Sequence, residues 1–163
     1  GLEYGTIVPM RYMNEDQYFK VVSVAAWCAW HSLDDSRKFG EAVLEAIEKS
    51  DSKVAVLASG SLSHRFNDNS DAGDRIFEIS NEFFRQVDYR VLELWQQGEF
   101  KVFTDMFHEY AERCVGEGGM HDTAMLLGML GWDTYKEKVK IISDYFPSSG
   151  TGQVNAEFPL PKK

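Results

Sequence analysis

A chain of 163 residues is long enough for one domain and can bury roughly two-thirds of the surface its unfolded form exposes. Hydrophobic residues at 44% and aromatics at 13% supply a real core and exclude a disordered tail. The formal net charge of -9, from 26 acidic and 17 basic residues, repels phosphate backbones and anionic lipid, so neither nucleic acid nor a membrane surface is an expected partner.

The chain opens at Gly1 without an initiator methionine and enters Thr6-Ile7-Val8-Pro9-Met10, which reads as extended, almost at once. It reads as if its beginning had been cut away, since domains more often start with a polar, dispensable terminus. The first thirty residues lack the basic, apolar and small-residue order of a signal peptide, and no apolar run approaches the ~20 residues of a membrane span. Cys28 and Cys114 form no CxxC pair, which suggests neither a zinc knuckle nor a disulfide framework. A soluble, cytoplasmic protein is expected.

Phe19 to Ala26 is short, apolar and rich in β-branched residues, as a strand covered on both faces should be. Ser32 or Asp34 can then cap a helix whose Phe39, Val43 and Ile47 recur at helical spacing. Lys53 to Ser59 is a second buried strand, and the strand–helix–strand order has about the length of a parallel crossover. A long helix is expected from about Asp71 to Gln97, with Ile76, Ile79, Phe83, Val87, Val91, Leu94 and Trp95 on one stripe and Gly98 as its stop. A shorter helix follows around Phe103 to Cys114. The Glu117-Gly118-Gly119 turn opens another, apolar nearly all round and therefore buried, through Leu130. Lys138 to Tyr145 is the third buried strand. The expected fold is α/β, a mainly parallel sheet with helices packed on its faces, in one domain over residues 1–163 that is itself incomplete.

The sharpest motif is Gly60-Ser61-Leu62-Ser63-His64-Arg65-Phe66, directly after the second strand. Ligands in open α/β sheets bind beyond the carboxyl ends of strands, so this loop lies where a site is expected. His64 could serve as an acid or base near neutral pH, or be held by a loop carbonyl; position alone divides the two. A serine-hydrolase elbow needs glycine where His64 stands, which makes hydrolysis through Ser61 or Ser63 a poor fit. The Gly-rich Ser149 to Glu157 stretch has no following helix and no P-loop lysine, and spacing alone reads Glu157 as a solvated carboxylate. His121 lies in the first turn of the buried helix, where free N–H groups favour an anion such as a carboxylate or phenolate, although a partly buried helix-entry histidine is the slightly better reading of position alone. His31 and His108 read as structural or exposed. Arg11 and Arg65 could pair a substrate carboxylate. The four histidines show no HxxE or HExxH spacing, so no complete metal site is legible.

Taken together, Tyr4 to Met13, the Ser59 to Phe66 loop, Gly116 to Trp132 (GEGGMHDTAMLLGMLGW) and Ser148 to Phe158 resemble the class III extradiol dioxygenases, the protocatechuate 4,5-dioxygenase superfamily, and within it the branch that opens homoprotocatechuate (3,4-dihydroxyphenylacetate). The resemblance implies extradiol cleavage of that catechol with O2 at a non-haem Fe(II) centre held by two histidines and a glutamate, although another divalent metal could serve an O/N site. On this alignment Glu157 is the metal-binding glutamate and His64 the acid–base residue. Ser63 and Asn155 lie beside the chemistry, and His121 faces the aromatic substrate. The resemblance also implies a missing N-terminal segment that carries both histidine ligands, a homo-oligomer, and 5-carboxymethyl-2-hydroxymuconate semialdehyde as product. A relative acting on another catechol or an aminophenol would share these residues. A non-catalytic fragment or binding domain lacking the two histidines is the alternative from a different class.

Overall fold

The computed structural model describes residues 3–67, 70 and 73–161. The chain is α/β in the broad sense: five helices and two small sheets among the described residues. The helices are α1 Tyr4–Met13, α2 Leu33–Glu48, α3 Glu82–Gln97, α4 Phe100–Arg113 and α5 His121–Leu130. A 3-10 turn over Glu117–Met120 leads into α5, and a second over Trp132–Thr134 leaves it. Four short strands follow: β1 Lys140–Ile141, β2 Phe146–Ser148, β3 Thr151–Gln153 and β4 Ala156–Glu157.

Local chemistry explains the helix ends. At α2 the Ser32 hydroxyl accepts the Asp35 N–H at 3.0 Å, and the Asp35 carboxylate accepts the Ser32 N–H at 3.0 Å; this reciprocal box satisfies two otherwise orphaned donors. Asn81 caps α3 through the Phe83 N–H, and Gly98, at φ 77°, ends it as the sequence predicts. α5 is packed on several sides, as its uninterrupted apolar character requires. Its contact with α2 is a close backbone approach: a Cβ on Gly40 would overlap the Met125 carbonyl, and one on Gly128 would overlap the Arg37 carbonyl. Val91, Leu94, Phe100, Phe103, Phe107, Tyr110, Ala124 and Leu127 form the fully enclosed centre of the core between α3, α4 and α5.

Several expectations are corrected. Thr6 to Met10 is helical, within α1, although Pro9 deprives the Gly5 carbonyl of its helical donor. The long helix begins at Glu82 and not near Asp71, which itself lies outside the described residues. Before the Asn81 cap the chain pairs with a turn instead of winding: Ser149 N–H donates to Ile76 O at 2.7 Å, Gly150 N–H to Glu78 O at 2.9 Å, and Ser80 N–H to Gly150 O at 3.0 Å.

The sheet differs most. Phe19 to Ala26 and Lys53 to Ser59 carry no strand pairing, and most of their residues are exposed, Val22 at 89%. Of Lys138 to Tyr145 only β1 is a strand, antiparallel to β4, while β2 and β3 form an antiparallel hairpin. Among the described residues no parallel sheet is present; the parallel contact is the single bridge between Ile79 and Gly150. A strand is defined by its ladder, and these apolar runs meet no partner strand within the described residues.

Candidate active site

The Ser61 to His64 segment is pinned on both sides. Leu62 N–H donates to Gly152 O at 2.9 Å, and Gly152 N–H donates back to Ser63 O at 2.9 Å. On the other side Glu117 N–H reaches Leu62 O at 3.3 Å, and His64 N–H reaches Val115 O at 3.0 Å, making the Ser63–Gly116 bridge antiparallel. The Gln153 side-chain amide donates to Ser61 Oγ at 2.6 Å. The motif therefore joins the β2–β3 hairpin to the entry of α5, which is why residues far apart in sequence meet there.

Leu62 and Ser63 are buried, whereas the His64 side chain keeps 23% exposure, enough to meet a ligand. Its ring stands edge-on to Phe66, and its Nε2 lies 3.7 Å from Glu117 Oε1. That oxygen also accepts the Tyr4 hydroxyl at 3.0 Å, a contact that raises the phenol's pKa. Glu117 is presented by a strained turn. Val115 has φ 52°, and Gly118, Gly119 and Met120 are all left-handed, conformations that a β-branched residue and a methionine adopt only when their surroundings enforce them.

Asp122, in the first turn of α5, directs its carboxyl at the start of the same loop; a Cβ on Gly60 would lie 2.6 Å from Oδ2. Burial pushes this carboxyl up to about 6, with the Glu117 charge adding to it, while hydrogen bonds from Thr123 and from its own N–H oppose the rise. Neither Glu117 nor Asp122 was singled out by motif. The signal available was a carboxylate following a histidine at the entrance of an otherwise apolar helix. Asp88 was missed as well, though a lone acid among the apolar positions of α3 is visible once Phe84, Val91, Leu92 and Trp95 are placed on the buried face.

The remaining expected residues lie differently. His121 is 5% exposed, and its Nδ1 is 2.7 Å from Ser36 Oγ, so its ring is held inside the α2–α5 contact. Burial lowers its pKa and keeps it neutral-prone, against an opposing hydrogen bond with the Cys28 backbone. Asn155 is exposed; its N–H donates to Ser143 Oγ at 2.8 Å and its carbonyl accepts from Ile142 N–H at 2.8 Å. Glu157 sits on β4 with 60% side-chain exposure, and its Oε2 is 3.7 Å from Lys140 Nζ. Arg11 and Arg65 are exposed, as are His31 and His108. Among the described residues no group of three or more His, Cys, Asp or Glu side chains is placed to hold a metal ion. No described helix is long and apolar enough to cross a membrane.

Comparison with known proteins adds an independent line. The family described as the catalytic LigB subunit of aromatic ring-opening dioxygenase matches residues 1–159. The 3,4-dihydroxyphenylacetate 2,3-dioxygenase of Escherichia coli is 59% identical over 142 residues, which cover 87% of this chain and 51% of that protein. Protein CA_C1420 of Clostridium acetobutylicum is 25% identical over 140 residues, 85% of this chain and 28% of its own length. The chain thus spans about half, or less, of the relatives it matches.

Proposed function

The chain belongs to the family of catalytic LigB subunits of aromatic ring-opening dioxygenases, and from that premise we propose that it forms the C-terminal part of an enzyme cleaving 3,4-dihydroxyphenylacetate extradiol with O2. The identity of 59% to a protein bearing that activity's name carries the choice of substrate. The product would be 5-carboxymethyl-2-hydroxymuconate semialdehyde.

His64 is the proposed acid–base residue. A catechol hydroxyl, like a tyrosine, ionises well above neutrality, so a positioned base is needed to take its proton. The His64 Nε2 can accept that proton, hold it beside the Glu117 carboxylate and return it as the ring opens. The backbone bonds on both sides of the loop keep the imidazole in place through this cycle. Ser63 is proposed as a neighbour acting through the loop; Asn155 and His121 remain substrate-facing only if the upstream segment opens a path to them.

Taken alone, the described residues do not fit a ferrous centre, since no three-donor set exists among them. We propose that two histidine ligands come from an upstream segment and that this chain supplies the carboxylate. The family resemblance assigns Glu157; the geometry favours Asp122, which is half-buried beside the His64 loop. The exposed apolar runs Phe19 to Ala26 and Lys53 to Ser59 are proposed to become strands of a mainly parallel sheet when that segment is present, completing a single domain of which residues 1–163 are one part. Association into a homo-oligomer belongs to the same reading.

The test is oxygen uptake with 3,4-dihydroxyphenylacetate and anaerobically added Fe(II), together with the appearance of the yellow product. Activity is expected in the protein extended upstream and not in residues 1–163 alone. Activity in the short chain would refute the ligand assignment; silence in both would move the reading to another aromatic substrate or to a non-catalytic domain. Iron per protein in the extended Asp122→Asn and Glu157→Gln variants decides between the two carboxylates.

A further inference from the structure

Asp88 lies on the buried face of α3 and is completely enclosed. Both of its oxygens are filled. Oδ1 accepts the Ser63 N–H at 3.2 Å and the Tyr110 hydroxyl at 2.8 Å. Oδ2 accepts the Ser63 hydroxyl at 2.7 Å and the Tyr145 hydroxyl at 2.8 Å. Its described partners are hydroxyls and one amide, with no cation among them. Burial raises the carboxyl's pKa, the four donors oppose it, and the Tyr110 and Tyr145 phenols are raised in turn, by burial first and then by the Asp88 charge.

A carboxylate buried without a cation is a costly way to fill a core, and an apolar residue of similar volume would pack there at less expense. What it supplies is direction. Two of its bonds go to one residue, Ser63, and grip that residue at its backbone and at its side chain together. Gly152 keeps the space clear, because a Cβ there would overlap Asp88 Oδ2 and stand 2.5 Å from the Tyr145 hydroxyl. Gly152 also donates to the Ser63 carbonyl, and His64 N–H is fixed by Val115. Every polar group of Ser63 is therefore accounted for, and the next residue is His64.

We propose that Asp88 is a positioning residue for His64: held by the Tyr110 and Tyr145 hydroxyls, it grips Ser63 at N–H and Oγ and so fixes where the imidazole stands. The proposal rests on the acid–base role given to His64 above. It assigns to the tyrosines, whose hydroxyls both donate to Asp88, a share in the rate.

The test uses the protein extended upstream, with Asp88→Asn and the milder Tyr145→Phe, which deletes one of the four bonds and keeps the proposal testable if the asparagine variant does not fold. In the asparagine variant an NH2 replaces one carboxylate oxygen, so the hydroxyls on that side can no longer donate to it and must turn to accept, and Ser63 loses a charge-assisted bond. A misplacement of about 1 Å is enough to reduce kcat by roughly 100-fold, with KM altered less than about twofold. Hydrogen exchange across residues 60–66 is expected to rise at least tenfold while the α4 and α5 amides stay protected. Support requires both changes in an active enzyme. A variant that only melts earlier, with kcat and loop exchange unchanged, overturns the proposal, as does a slower enzyme whose loop is as protected as before. If the unmodified protein opens no catechol ring, the functional reading falls, and loop exchange alone then decides whether Asp88 fixes the segment.

Discussion

Replacing Asp122 by asparagine in the metal-free protein gives a pH-dependent gain in stability. The folded carboxyl titrates near 6 against an ordinary value of 3.8, so the folded state binds this proton more tightly than the unfolded state does. Below the ordinary value both states are protonated and there is no penalty. As the pH rises toward about 6 the unfolded chain ionises first, and stability falls. Above 6 the penalty is complete. At about 1.36 kcal/mol per pH unit the gap corresponds to roughly 3 kcal/mol. Asparagine cannot ionise, so it removes the slope, although it forfeits part of the hydrogen bonding from Thr123 worth about 1 kcal/mol. The variant should lie up to about 1 kcal/mol below the wild type at the acid end of the range, cross it above pH 4 and exceed it by about 2 kcal/mol at pH 7. Urea unfolding from pH 3.5 to 7.5 measures this directly as a shift in midpoint. Other carboxyls, Asp88 included, contribute equally to both proteins and cancel in the difference. A difference that stays flat across this range would show that Asp122 is solvated and that its enclosure against Gly60 is wrong.

Three further outcomes follow from the same geometry. Ser32→Ala removes the capping box of α2 and should destabilise the protein by about 1 kcal/mol in thermal or urea unfolding, with no change in slope. Gly128→Ala forces a methyl onto the Arg37 carbonyl, a backbone atom that cannot rotate away, and should cost about 1–3 kcal/mol or more by urea midpoint; adding Gly40→Ala should cost less than its own single effect, because one separation of α2 from α5 relieves both clashes. His64→Asn in the protein extended upstream should reduce kcat by about 10²–10⁴-fold with little change in KM, read by oxygen uptake; a near-normal kcat would remove His64 from the proton transfer.

The helical half of the fold was legible because its signals are local. The Ser32 cap, the Gly98 stop and the apolar faces of α3 and α5 are decided within a turn or two of chain, and the structure reproduces them. The start of α3 was not legible, since an apolar stripe continues through Ile76 and Ile79 while Ser149 and Gly150 claim that backbone from 70 residues away. The strands failed for a related reason. Apolar, β-branched runs signal what a segment wants to bury but not whether a partner is present, and for Phe19 to Ala26 and Lys53 to Ser59 no partner lies among the described residues. At the site, glycine and serine around His64 showed where a loop could turn. What they could not show is that the loop is clamped between Gly152 and Val115, because those contacts span about 90 and 50 residues of sequence.

The same distinction bears on which carboxylate reaches a metal. Spacing alone reads Glu157 as a solvated carboxylate and only the family resemblance makes it a ligand; on β4 it is mostly exposed and close to Lys140. Water and an ammonium group both compensate its charge, so a cation would gain little there beyond what it must displace. Asp122 is in the opposite condition. Its charge is opposed by burial and by Glu117, and a divalent ion would relieve both at once. A cation binding at Asp122 should therefore become tighter as pH rises through about 6 and should return the stability that ionisation removes. The two proposed histidine ligands titrate in the same range, so affinity alone does not separate the sites; the stability that the cation returns in the protein extended upstream should be lost in Asp122→Asn and kept in Glu157→Gln if Asp122 is the ligand, and the reverse if Glu157 is.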